Sequence, residues 1–299
     1  MDLKSNKILF FIIKLTVSSI LLYLVLSKAG TKEVFSLLKT INPLAFIISA
    51  LLYLIAQFFS TIRWKLLLSE RVNIKKLFSL YMIGAFFNII LPGIIGGDAV
   101  KGYYLYKETG KGTSTLASIF MDRYIGFICL LFIGMLALPF GYNQLNNSKA
   151  TLLLPIFVLI FTISSLFVFS FRIGKRFRFL TNFYNYFHHY RTQWKILLKT
   201  FLLSIIIQSL NILAVYIITL GINQKVSLLS YLIFMPLIIV FTTIPISISG
   251  IGVREGVFTL FLGSINIKAD VATAISLLWF LSMVAGSLPG FIEYIRYKK

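Results

Sequence analysis

The chain has 299 residues, of which 58% are hydrophobic and 13% charged, and its mean hydropathy is +0.90. These proportions exclude a soluble globular domain and define a polytopic all-α membrane protein. The net charge of +20 is ascribed to basic cytoplasmic loops lying against anionic headgroups, and nucleic acid is not expected as a partner.

The first apolar segment covers residues 8–26. It exceeds the ~7–15 residues of a signal-peptide core, so it is read as a retained helix, with Lys14 snorkelling toward the cytoplasm. Further full spans are expected at 44–62, 116–138, 152–171, 200–220 and 271–291, which makes six. Two more apolar runs, 77–97 and 228–249, are long enough to cross but break at proline and glycine near their ends.

Lysine and arginine decide how these two runs lie. If both turn back as re-entrant hairpins and the termini are cytoplasmic, 21 cations fall inside. Six fall outside: Lys28, Lys32, Lys39, Lys149, Lys225 and Lys268. Full crossings would instead place the loop 172–199, with its seven cations, on the outside. The positive-inside rule favours hairpins. Each half, 1–140 and 150–299, then reads helix, helix, hairpin, helix within one membrane domain. Three spans per half make the second half enter from the opposite face, an inverted repeat whose hairpin tips meet near the midplane.

The two breaks hold most of the candidate chemistry. In the first, Asn88, Pro92 and Gly93 interrupt the helix, Gly96 and Gly97 permit a tight turn, and Asp98 caps a new helix that carries Lys101 one turn on. Freed amides at a helix N-terminus suit an anionic headgroup. The second break offers Ser247, Ser249, Gly250, Gly252, Arg254 and Glu255 after Pro245. Its hydroxyls and amides make an anion surface, and Arg254 adds a forked phosphate donor.

Nine acidic residues are few enough to weigh singly. Asp98, Asp122 and Glu255 lie at breaks or helix ends beside Lys101, Arg123 and Arg254, and a charge at membrane depth costs about 2.5–3.5 kcal/mol unless paired. Ser118, Asp122 and Gly126 share one helical face, which is expected to support the first hairpin. Arg63–Trp64 is read as an interfacial anchor. Ser204, Gln208 and Asn211 form a polar stripe facing the bundle interior, where helix–helix hydrogen bonds account for them. The sequence contains no HExxH, P-loop or GxSxG motif. One cysteine, Cys129, and two histidines in a basic loop provide no metal site, so neither metal nor cofactor is expected.

Taken in order, Arg63–Trp64, N-x-x-L-P-G-x-x-G-G-D from Asn88 to Asp98, S-x-x-x-D-R-x-x-G from Ser118 to Gly126 and P-x-S-x-S-G-x-G-x-R-E from Pro245 to Glu255 resemble the lysylphosphatidylglycerol synthase transmembrane region, a flippase-like domain family. The resemblance spans almost the whole chain. It implies a helical bundle with re-entrant segments that moves an anionic, phosphate-bearing lipid or lipid-linked headgroup between leaflets of the cell membrane. In bifunctional members a C-terminal domain attaches lysine to phosphatidylglycerol. Here the sequence stops after the last span, so aminoacyl transfer is not expected. Lys101 stands where the family commonly has arginine, which keeps the charge without the fork. The competing expectations are a membrane-embedded headgroup-modifying enzyme and an accessory subunit of a glycosyltransferase or lipid synthase. Membrane lipids, phospholipid or polyprenyl-phosphate, are the expected partners.

Overall fold

The computed structural model describes residues 3–91, 96–141, 150–170 and 193–298. Its elements are eleven α-helices: α1 (Leu3–Ala29), α2 (Thr31–Lys39), α3 (Pro43–Leu66), α4 (Ile74–Ile90), α5 (Gly96–Thr109), α6 (Gly112–Gly141), α7 (Ala150–Ser170), α8 (Trp194–Gly221), α9 (Leu228–Thr243), α10 (Val253–Gly263) and α11 (Ala269–Lys298). Helix starts follow side-chain chemistry. Asn42 accepts from the Leu44 amide ahead of Pro43, Asn73 from Lys75 and Ser227 from Leu229.

Among the described residues five helices are long and apolar enough to cross a bilayer: α1 from Ile12, then α3, α6, α8 and α11. The span expected at 152–171 is α7, whose apolar stretch Thr151–Phe167 is shorter, as is α9. The outside of the bundle is apolar, with Leu152, Leu159, Ile163 and Leu166 of α7 all exposed. Its inside carries buried Ser49, Thr61, Ser118, Ser204 and Ser282. Small polar residues let helices approach and bond to one another, as Ser49 does to Ser282 at 2.9 Å. An apolar rind around a polar interior is the arrangement that suits lipid.

Both broken runs end their first helix for the same local reason. The residue before a proline is driven out of the α region. Leu91, before Pro92, is extended at φ −83°, ψ 147°, and Ile244, before Pro245, at φ −62°, ψ 123°. In each case the chain then turns back. Helices α4 and α5 pair antiparallel, with Gly84 against Gly97 near the tip and Lys76 bonded to Glu108 at 2.8 Å at the open end. Helices α9 and α10 pair likewise, with Phe234 stacked on Phe261 at 5.5 Å.

The two hairpins open toward opposite ends of the bundle. Helices α3 and α8 run antiparallel: Arg63 meets Ser204 at one end, and Asn42 meets the Gly221 carbonyl at the other. The first hairpin opens at the Arg63 end, beside the C-terminus of α11, where Ser79 bonds Glu293 at 2.6 Å and Tyr104 packs on Tyr297. The second opens at the far end, where Thr219 of α8 bonds Tyr231 of α9 at 2.6 Å. Packing is reciprocal as well. Helix α4 lies on α11 and α9 on α6, while α3 and α8 form the most extensive pair. Helix α1 braces the second tip, since Ser18 accepts from the Ile248 amide at 2.8 Å. One turn away, Lys14 is buried rather than snorkelling outward.

Candidate functional site

A cavity of about 470 Å³ lies between α3, α4, α5, α6, α8, α11 and the tip of the second hairpin. Asn88, Asp98 and Lys101 reach it from the first hairpin, and Thr242, Ser249 and Arg254 from the second. Its volume falls in the ~300–1,000 Å³ range of small-molecule pockets.

Three ionic groups lie at its wall or directly behind it. Asp122 is fully buried. One carboxylate oxygen accepts from Arg63 Nε at 2.7 Å and the other from the Tyr81 hydroxyl at 3.0 Å, while Lys101 Nζ lies 4.0 Å off. Arg63 also donates to Ser204 at 2.8 Å. Asp98 is held by two cations, Arg123 as a fork (Nε at 2.6 Å, Nη2 at 3.0 Å) and Lys101 at 3.0 Å. The third group is Glu255. Its Oε2 reaches back to the Gly252 amide at 2.6 Å, and its Oε1 accepts from Arg254 and from Ser276 at 3.0 Å.

Exposure separates Arg123 from the other three cations. Lys101 is sealed, with its ammonium 4.0 Å from the Tyr81 ring centre and 4.8 Å from that of Trp64, so it braces Asp98 and Asp122 from behind. Arg63 is buried to 4%. The Arg123 side chain is 44% exposed. Arg254 is 3% exposed, lies over Phe280 and lines the cavity, as Arg63 and Lys101 also do. The Nη1 atoms of Arg123 and Arg254 make no hydrogen bond among the described residues. Beside Arg123 the wall is aromatic, with Phe120 stacked on Tyr124, and Tyr124 and Phe127 against Phe161 of α7.

Turn geometry explains the glycines. A Cβ on Gly97 would overlap the Gly84 carbonyl oxygen, and the close approach lets Asn88 accept from the Gly97 amide at 2.8 Å. Gly96 packs closely on the Leu91 side chain. In the second tip, Gly250 and Gly252 take φ of 77° and 83°, and Ser249 takes 52°. Ser247 is buried away from the cavity lining, with its hydroxyl unpartnered among the described residues. Pro92 and Gly93 lie outside the described residues.

The face of Ser118, Asp122 and Gly126 does meet the first hairpin, through Tyr81 and Lys101, and Ser118 accepts from Trp64 at 3.1 Å. Arg63–Trp64 is not an interfacial anchor. Both side chains are buried, and Arg63 belongs to the ionic network. Sequence reasoning assigned Arg63 to the interface, accounted for Ser204 by helix–helix hydrogen bonding and did not single out Tyr81. The available signal was the stripe Tyr53, Gln57, Ser60 and Arg63 at helical spacing, all four of which line the cavity.

An all-helical bundle with an apolar exterior, several spanning helices and an ionic chamber within is a polytopic membrane protein built around a polar site. The chain belongs to the family described as Lysylphosphatidylglycerol synthase TM region, whose model matches residues 11–290. It is 22% identical over 329 aligned positions to the UPF0104 membrane protein MJ1595 of Methanocaldococcus jannaschii, covering 96% of this chain and 97% of that one. It is also 22% identical over 327 positions to the UPF0104 membrane protein PH1989 of Pyrococcus horikoshii, covering 95% and 96%.

Proposed function

We propose that the protein is a lipid translocase that passes an anionic, phosphate-bearing headgroup between the leaflets of the cell membrane while the lipid tails stay in the bilayer. One observation carries the reading: two hairpins entering from opposite ends line a single cavity with guanidinium groups on its wall. In a bilayer the hairpins are re-entrant, the two halves form an inverted repeat, and the end holding Lys65, Arg71, Lys75, Lys76 and Lys111 faces the cytoplasm with both termini. Such a site becomes accessible from each face in turn when one half rocks against the other.

Arg123 and Arg254 hold the phosphate, and the aromatic wall beside Arg123 takes the first segment of the tails. Lys101 and Arg63 keep the carboxylates in place. Each cavity carboxylate already accepts from two or more donors. That arrangement favours binding over proton abstraction, and so transport over headgroup chemistry.

The test is leaflet exchange of fluorescent-tailed phospholipids in vesicles reconstituted with purified protein, wild type against Arg254→Glu. Charge reversal is expected to abolish the protein-dependent exchange while the thermal unfolding profile stays cooperative. Undiminished exchange in a folded Arg254→Glu protein would refute the assignment.

A further inference from the structure

The charges around the cavity do not balance, and the imbalance has a definite location. Among the described residues four cations line it, Arg63, Lys101, Arg123 and Arg254, against two lining carboxylates, Asp98 and Asp122, and a third, Glu255, that stands behind Arg254. Arg63 is matched by Asp122 at 2.7 Å, and Arg254 by Glu255 at 3.0 Å. Asp98 is shared between Lys101 and Arg123, and Lys101 also reaches Asp122 at 4.0 Å. The surplus positive charge therefore resides in the connected network Arg63–Asp122–Lys101–Asp98–Arg123, in which Arg63 and Lys101 are buried and the Arg123 side chain is 44% exposed. Lys101 is enclosed by two aromatic rings, so Arg123 is the member that presents the surplus to the cavity.

A chamber surrounded by hydrocarbon is most stable when its contents sum to zero, because uncompensated charge there is strongly penalised. A headgroup of charge −1 neutralises this cavity. A dianion overshoots by one, and a zwitterion leaves the surplus in place. Given a translocase, we infer that its substrate headgroup is a phosphodiester carrying one net negative charge. It docks on Arg123 Nη1 with Arg254 Nη1 as the second donor, in preference to phosphomonoesters and to zwitterionic or cationic aminoacylated headgroups. Phosphodiesters hold a single charge across the neutral range, whereas a monoester with a second pKa near ~6 is mostly dianionic at pH 8.

The experiment measures protein-dependent exchange at pH 8 of three fluorescent-tailed lipids in otherwise identical vesicles: phosphatidylglycerol, phosphatidate and phosphatidylcholine. Phosphatidylglycerol is expected to exchange at least tenfold faster than either of the others. Arg123→Gln brings the cavity to neutrality, so its phosphatidylglycerol-to-phosphatidylcholine ratio is expected to fall at least tenfold. That ratio is internal to one preparation and does not depend on the amount of folded protein. Glycerophosphoglycerol, the same diester without tails, is expected to compete only in large excess; competition at the lipid's own concentration would overturn the lipid as its source. Phosphatidate moving as fast as phosphatidylglycerol, or an unchanged ratio in Arg123→Gln, would overturn the charge rule and leave the translocase standing. Exchange of none of the three would count against the translocase itself, and the charge rule would fall with it.

Discussion

Arg63 and Asp122 permit the sharpest test of how the chamber is held together. Both are buried, at 4% and 0% exposure, and they meet at 2.7 Å. Truncating either one strands the other, a loss of about 3–5 kcal/mol for a buried pair. At ~2 °C per kcal/mol for a large chain, Arg63→Met and Asp122→Leu are each expected to lower the unfolding midpoint in detergent by about 6–10 °C. The double variant removes both charges together and leaves the Tyr81 hydroxyl without its acceptor, at about 1–3 kcal/mol, while Ser204 keeps its bond to the Thr200 carbonyl and Lys101 keeps Asp98. It should therefore be clearly more stable than the sum of the single effects predicts, with a coupling of roughly 2 kcal/mol or more. Differential scanning fluorimetry on the four proteins measures this cycle. Strict additivity would mean that each side chain is solvated independently, and the picture of a mutually dependent ionic core would be wrong.

Four more outcomes follow from the geometry. Gly97→Ala pushes a methyl group into the Gly84 carbonyl and should cost about 3 kcal/mol, the upper end of overpacking effects, because the obstacle is backbone. Gly263→Ala, with nothing within 4 Å, should be neutral or slightly stabilising in the same melt. Glu255→Gln leaves Arg254 without a counter-charge and weakens the bond to the Gly252 amide; hydrogen exchange at Gly252 is expected to speed up selectively, and unchanged protection would contradict the role given to Glu255. Cysteines introduced at the exposed Lys76 and Lys111 should react with an impermeant thiol reagent from one side of the membrane, and those at Lys225 and Lys268 from the other. Buried Cys129 gives no background, and labelling of all four from one side would overturn the opposed hairpins.

The sequence alone determined whatever depends on composition or on a residue and its immediate neighbours. Hydropathy specified the membrane class, and the bonds preceding Pro92 and Pro245 determined where α4 and α9 stop, since X-Pro sterics act across a single peptide unit. The glycines of both tips were legible for the same reason, and so was the Asp122 face turned toward the first hairpin. Tertiary structure decided the partners. Arg63 finds Ser204 across 141 residues and Asp98 takes Arg123 across 25, which depends on how α3, α6 and α8 are rotated against one another. Whether Lys101 is sealed or open, and which arginine shows the surplus charge, rests on the same rotations. Pair energies of this kind are set by distance and burial, and no local pattern along the chain encodes either.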